Sequence, residues 1–223
     1  MMNADKRELL KSLYFPTLFL VLIWLVWFSE LVFDINLSFL GIYPLTIKGL
    51  PGIITAPLIH AGYEHLLANS VPLFVLSACL FYFYRQIAYK IFFLVYIITN
   101  IWVWFLARDA YHIGASGVVY GLAAYLFTSG LVRKNPRLLA ITFVITFLYG
   151  SMIWGVFPEF FPEKNISWES HLMGMLAGIV LAVFFRNEGP KPKIYDLDDD
   201  ELDDSNPYWE IKDSNPSEAD AFK

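Results

Sequence analysis

The chain has 223 residues, of which 57% are hydrophobic, 18% aromatic and 17% charged, with a mean hydropathy of +0.51. Soluble domains carry about 25% charged and 45–50% apolar residues, so this sequence has too little polar surface for a soluble globule, and its length suits one domain. The net charge of −5 is unevenly placed: residues 188–223 hold twelve acids and four bases, residues 1–187 nine acids and twelve bases. No basic cluster could release enough counterions to hold nucleic acid. The lone cysteine, Cys79, excludes an intramolecular disulfide framework.

A helix needs about 20 apolar residues to cross a bilayer core of about 30 Å. Residues 15–33 form such a run, with Glu30 as its only charge. Lys6, Arg7 and Lys11 precede it as they would a signal peptide, but the run is too long and residues 29–33 offer no small-residue cleavage pattern. It reads as a retained anchor. Residues 34–63 are apolar but broken by Pro44, Gly49, Pro51, Gly52 and Pro57, which predicts a loop lying in the membrane interface. Residues 66–84 and 91–107 are the second and third runs. Residues 118–132 fall short, and become a full span when extended back through Gly114-Ala115-Ser116-Gly117. Residues 138–157 are the fifth run. Residues 158–169 resist helix at Pro158 and Pro162 and offer Phe160, Phe161 and Trp168 to the headgroup level; the Asn165-Ile166-Ser167 sequon there arises often by chance. Residues 172–185 again need extension, through Ser170 and His171. The two extensions carry Ser116 and His171 into the membrane, and the expected total is six spans.

Lysine and arginine counts give the orientation. Eleven flank one side, at the N-terminus (Lys6, Arg7, Lys11), between spans two and three (Arg85, Lys90), between spans four and five (Arg133, Lys134, Arg137) and after span six (Arg186, Lys191, Lys193). Three flank the other: Lys48, Arg108 and Lys164. Both termini are therefore expected in the cytoplasm, which requires an even number of spans. The expected organisation is a cytoplasmic N-terminus (1–14), a six-helix membrane domain (15–186) and an acidic tail (187–223). The tail repeats Asp-Ser-Asn-Pro at 204–207 and 213–216, and it buries too little apolar surface to fold alone. It reads as a solvated segment, the alternative being a surface for a cytoplasmic partner.

Polar side chains inside spans are costly and mark functional sites by default. His60 and His65 lead into the second span, and His65 and Asn69 stand at i and i+4, on one helix face. They are either two donors near the outer third of the bilayer or helix-bridging polar residues. Ser116 lies between Gly114 and Gly117, whose small size admits a substrate backbone; Gly121 extends the series, so close helix packing is the competing reading. His171, Gly174 and Gly178 fall at i, i+3 and i+7 on one stripe. A neighbouring helix that approaches those glycines reaches the histidine, and if it is the helix of Ser116 a serine–histidine dyad results. No His-Glu-x-x-His is present, no intramembrane aspartate pair exists, and Glu169, two residues before His171, points away from it on a helix. No metal site and no cofactor is expected.

The set His60-x4-His65-Leu66-x2-Asn69, Gly114-x-Ser116-Gly117 with Tyr120, and His171-x2-Gly174-x3-Gly178 resembles the rhomboid intramembrane serine proteases, over residues 15–186. The resemblance implies an all-α, polytopic six-helix bundle with a short, centrally placed fourth helix that begins inside the membrane. It implies Ser116 as nucleophile, His171 as general base stacked on Tyr120, and an oxyanion hole made by the Ser116 N–H with His65 and Asn69. It also implies water entering from the outer side and, as substrates, single-span membrane proteins cut in or near the outer half of the bilayer. Two departures touch the outer loop and second span. Many bacterial members carry Trp-Arg after the first span, where residues 34–63 have neither, and a glutamate and glycine near the end of the second, where this chain has Leu80-Phe-Tyr-Phe-Tyr84. The expected location is the plasma (inner) membrane of a bacterium. A non-catalytic rhomboid-like protein that binds membrane clients is the alternative, although such proteins usually lack the serine or histidine present here. A small transporter is a third reading, and the chain shows no internal repeat in its favour.

Overall fold

Apolar runs long enough to satisfy their own backbone hydrogen bonds become helices, the form that lipid tolerates. The computed structural model describes residues 4–148 and 167–189. Along them run α1 (Ala4–Phe33), α2 (Gly52–Thr55), α3 (Tyr63–Phe83), α4 (Ala88–Leu106), α5 (Ser116–Val132), α6 (Pro136–Leu148) and α7 (Trp168–Phe184). Helices α1, α3, α4, α5 and α7 answer to the first, second, third, fourth and sixth expected spans, and α6 to the start of the fifth. Among the described residues, α1 (from Lys6), α3 and α4 are long and apolar enough to cross a membrane, while α5 and α7 are shorter apolar helices of 17 residues each. The second half of the fifth expected span, most of the 158–169 segment with Asn165, and the acidic tail beyond Gly189 lie outside the described residues.

Two helix starts differ from expectation for identifiable reasons. Helix α5 cannot be extended back to Gly114, because that residue takes a left-handed backbone, with a positive φ, that breaks the helix before Ser116. Helix α7 begins earlier than the apolar pattern suggested, at Trp168, with the carbonyl of Ser167 accepting from the Ser170 and His171 N–H groups. The proline- and glycine-broken stretch 34–63 is a folded loop of short turns, Ser38–Leu40, Ile47–Gly49, α2 and Ala56–Leu58. Glu30 Oε1 fixes its start by accepting from the Leu37 N–H at 2.7 Å, and Trp104 Nε1 on α4 donates to the Thr46 carbonyl at 3.0 Å. Ile42 and His112 exchange backbone hydrogen bonds of 3.0 and 2.8 Å, an isolated antiparallel bridge to the α4–α5 connection.

Helix α5 occupies the centre: Ser116 to Ala123 are all buried, as are Tyr125 and Leu126. A helix apolar on all sides belongs inside a bundle. Because lipid tails are as apolar as leucine, small residues that admit close van der Waals contact drive such packing. A Cβ built on Gly174 would stand 2.0 Å from the Gly117 carbonyl oxygen, and one on Gly178 2.1 Å from that of Gly121. The glycine stripe read from the sequence is thus the α5–α7 contact itself. Helix α1 is peripheral. Phe15, Phe19 and Ile23 face the bundle while Leu18, Leu22, Leu25 and Phe28 remain exposed, which in a membrane means facing lipid. Trp24 Nε1 donates to Ser70 Oγ of α3 at 3.1 Å. At the far end of α5 from Ser116, Arg133 donates to Ser129 Oγ (3.1 Å) and to the Phe185 carbonyl that closes α7 (2.9 Å), with the Tyr84 ring beside it.

Candidate active site

The short connection between α4 and α5 delivers Ser116. Its Gly114 N–H donates to the Ala56 carbonyl at 2.9 Å, and a Cβ at Gly114 would lie 2.6 Å from His65 Cε1. Only glycine lets the His65 ring lie against this turn and adopts its φ without strain. The next N–H, of Ala115, points at His60 Nε2 at 3.4 Å, and the rings of His60 and His65 meet edge to face with centroids 5.0 Å apart. Both histidines of the first motif therefore support the turn before Ser116. Burial, followed by the neighbouring His65, pushes His60 down to about 3, so it stands there as a neutral acceptor.

Ser116 opens α5 and His171 sits in the first turn of α7. The glycine-to-glycine crossing brings His171 Nε2 to 2.9 Å from Ser116 Oγ, with residue exposures of only 7% and 9%. Tyr120, one turn after Ser116 on the same face of α5, lies flat on the imidazole: centroids 4.2 Å apart, planes 6° from parallel. The ring is held between the Tyr120 face and the Ser116 hydroxyl. Glu169 instead points to Arg108, its Oε1 accepting from Nη1 at 3.0 Å. Asn69 is buried on α3, and its Nδ2 donates to the His65 carbonyl at 2.9 Å. His65 stands against the turn that carries Ser116 and Asn69 is tied to the His65 backbone, but no hydrogen bond joins either side chain to Ser116 among the described residues. Gly117 permits the α5–α7 contact at this level: a Cβ there would lie 3.0 Å from the Ser170 carbonyl oxygen. Among the described residues no group of three histidine, cysteine or carboxylate side chains could hold a metal ion.

A buried hydroxyl bonded to a stacked imidazole, beside a tight glycine turn, is the local chemistry of acyl transfer. The chain matches the Rhomboid domain over residues 49–188, more than half its length. It belongs to the rhomboid family. Similar relatives include an uncharacterized protein of Mycobacterium tuberculosis, 34% identical over 74% of this chain and 71% of the relative. An uncharacterized protein of Mycobacterium leprae is 30% identical over 74% of this chain and 67% of its own length. A Bacillus subtilis protein provisionally named a rhomboid protease is 31% identical over 58% of this chain and 64% of its own. With its apolar helices, this rhomboid is an integral membrane protein.

One histidine escaped the sequence reading. His112 is buried, its Nδ1 2.6 Å from Ser167 Oγ and its Nε2 3.0 Å from the Arg108 carbonyl. Burial is the main cause that lowers its pKa, and Arg108 adds to it; the Arg108 carbonyl and Glu169 oppose. It lies in a loop, outside any apolar run or helical stripe, so nothing in the pattern singled it out.

Proposed function

We propose that this rhomboid is an intramembrane serine endopeptidase that cleaves single-span membrane proteins in or near the outer half of the bilayer. The observation that carries the reading is the 2.9 Å contact between His171 Nε2 and Ser116 Oγ, with the imidazole stacked on Tyr120. Ser116 Oγ attacks the scissile carbonyl as its proton passes to His171 Nε2. The oxyanion that forms is met by the Ser116 N–H at the start of α5, where helix N–H groups lack intrahelical partners. The His65 ring and the second amide hydrogen of Asn69 supply the remaining donors once substrate opens the site. His171 then protonates the departing amine, and water hydrolyses the acyl-enzyme by the same base. Gly114, Gly117, Gly174, Gly178 and His60 hold the turn and the helix contact that make this geometry.

The excess of lysine and arginine at the N-terminus, between spans two and three and after span six supports both termini in the cytoplasm of a bacterium, with six spans and the acidic 187–223 segment beneath the membrane. Ser116 and His171 then lie toward the outer side, where ectodomains are released. Proteoliposomes holding the protein and a panel of single-span reporters test the reading. Ectodomain release is expected from the wild type and not from Ser116→Ala or His171→Ala. Equal release by the Ser116→Ala variant would assign cleavage elsewhere.

A further inference from the structure

The 107–115 connection does more than deliver Ser116. Two of its side chains reach across to the first turn of α7, the turn that carries His171. Arg108 Nη1 donates to Glu169 Oε1 at 3.0 Å; the glutamate side chain is only 4% exposed and the arginine 49%. His112 makes the second contact. A carbonyl only accepts, so His112 Nε2 donates to the Arg108 carbonyl at 3.0 Å and, in the neutral ring, Nδ1 accepts from the Ser167 hydroxyl at 2.6 Å. Ser167 Oγ is in turn 2.6 Å from Ser170 Oγ. Residues 167 and 169 are thus both held by one loop, immediately before His171, and Ser170 is tied to them through Ser167. The loop is itself anchored, since the His112 backbone bridges to Ile42 in both directions.

We propose that Arg108 and His112 are positioning residues that clasp the first turn of α7 and so set the register in which His171 meets Ser116. The proposal rests on the dyad reading above. Its physical content is that one rigid segment templates both members of the dyad: Ser116 by chain continuity, His171 through two side-chain contacts 55 and 61 residues away in sequence. Glu169 serves the dyad at one remove. It does not orient the imidazole as a triad acid does, but fixes the helix end from which the imidazole projects. Its negative charge also suits a helix N-terminus. Glycines 174 and 178 set how closely α7 approaches α5. The clasp adds a constraint along the helix axis, at the end of α7 that carries His171.

Removing Arg108 alone would strand a buried carboxylate, so the variant of choice is the double Arg108→Gln/Glu169→Gln, which retains size and leaves no lone charge. His112→Phe retains the ring without its hydrogen bonds, and Arg108→Lys is the conservative control. Full-length proteins are compared in lipid nanodiscs by amide hydrogen exchange over residues 167–175 and by kcat and KM on a single-span reporter. The first turn of α7 is expected to exchange about tenfold faster in the double variant and in His112→Phe. Their kcat is expected to fall about tenfold or more with KM changed by less than about twofold, since misplacement by a fraction of an ångström slows chemistry without altering docking. Arg108→Lys should stay within about threefold of wild type in both measurements. Unchanged exchange overturns the clasp. Faster exchange with wild-type kcat overturns its role in positioning the dyad. A wild type that cleaves nothing would sink the protease reading instead, while hydrogen exchange would still decide whether the clasp exists.

Discussion

Gly174→Ala is the smallest change that reaches the centre of the site. The new Cβ would stand 2.0 Å from the Gly117 carbonyl oxygen, 2.9 Å from its carbon and 3.2 Å from the Gly121 nitrogen. All three are backbone atoms of α5, so no side chain can turn aside. Non-bonded carbon contacts settle near about 3.5 Å, so α7 must back away by more than about 1 Å. His171 is three residues earlier on the same stripe and moves with it. The 2.9 Å contact to Ser116 then opens to about 4 Å, beyond hydrogen-bond range. Overpacking of this kind costs about 1–3 kcal/mol of stability, and a misplacement of about 1 Å costs on the order of 10²-fold in rate. The assay is the second-order rate of labelling by a fluorophosphonate, read beside thermal unfolding in detergent. Gly62→Ala is the control: Gly62 has an extended backbone at φ 172° and nothing within 4 Å of a built Cβ. Gly174→Ala labelling at the wild-type rate, with Gly62→Ala equally active, would refute the claim that the α5–α7 contact sets the dyad.

Three further outcomes are expected. Gly114→Ala combines a positive φ with a Cβ 2.6 Å from His65, so it should lose about 1–3 kcal/mol of stability and most of its labelling, read by melting and by probe. Tyr84→Phe removes the phenol that lies 2.8 Å from Ser129 Oγ, while Arg133 retains its bond to Ser129. Chemical denaturation should show a loss of about 1 kcal/mol with labelling unchanged. His60 and His112 both have lowered pKa values, so at acid pH the unfolded chain binds more protons than the folded one. Their contribution is full above the unfolded value of about 6.5 and falls as pH drops, for His60 down to about 3. Melting temperature measured from pH 7.5 to 4.5 should therefore decline below about 6.5, and less steeply in His112→Phe; a flat profile would contradict the burial argument.

What was legible in the sequence was what the membrane makes conspicuous. Ser116, His171, His65 and Asn69 stand out because few polar residues interrupt the apolar runs. The spacing of His171, Gly174 and Gly178 at i, i+3 and i+7 predicts a close-packing stripe, and the structure supplies its partner, the Gly117–Gly121 stretch of α5. The loops hid the rest. In the sequence Arg108 is only a base on the sparsely charged side, and nothing there pairs it with Glu169, sixty-one residues away. His112 has no periodicity to mark it, because its contacts join segments more than fifty residues apart and depend on how two loops meet. The backward extension of the fourth span stopped at Ser116 for a reason local to one residue, the positive φ of Gly114, which hydropathy cannot express. The match to the family covers residues 49–188, which include Ser116 and His171.

The most direct measurement is mass spectrometry of the detergent-solubilised protein after reaction with a fluorophosphonate. The wild type should gain a single adduct, mapped by peptide sequencing to Ser116. Ser116→Ala should gain none, and His171→Ala should label at least about 10²-fold more slowly, since a serine hydroxyl without its base is a weak nucleophile. An adduct that persists in Ser116→Ala, or a wild-type rate in His171→Ala, would contradict a dyad built on the 2.9 Å contact between these two side chains.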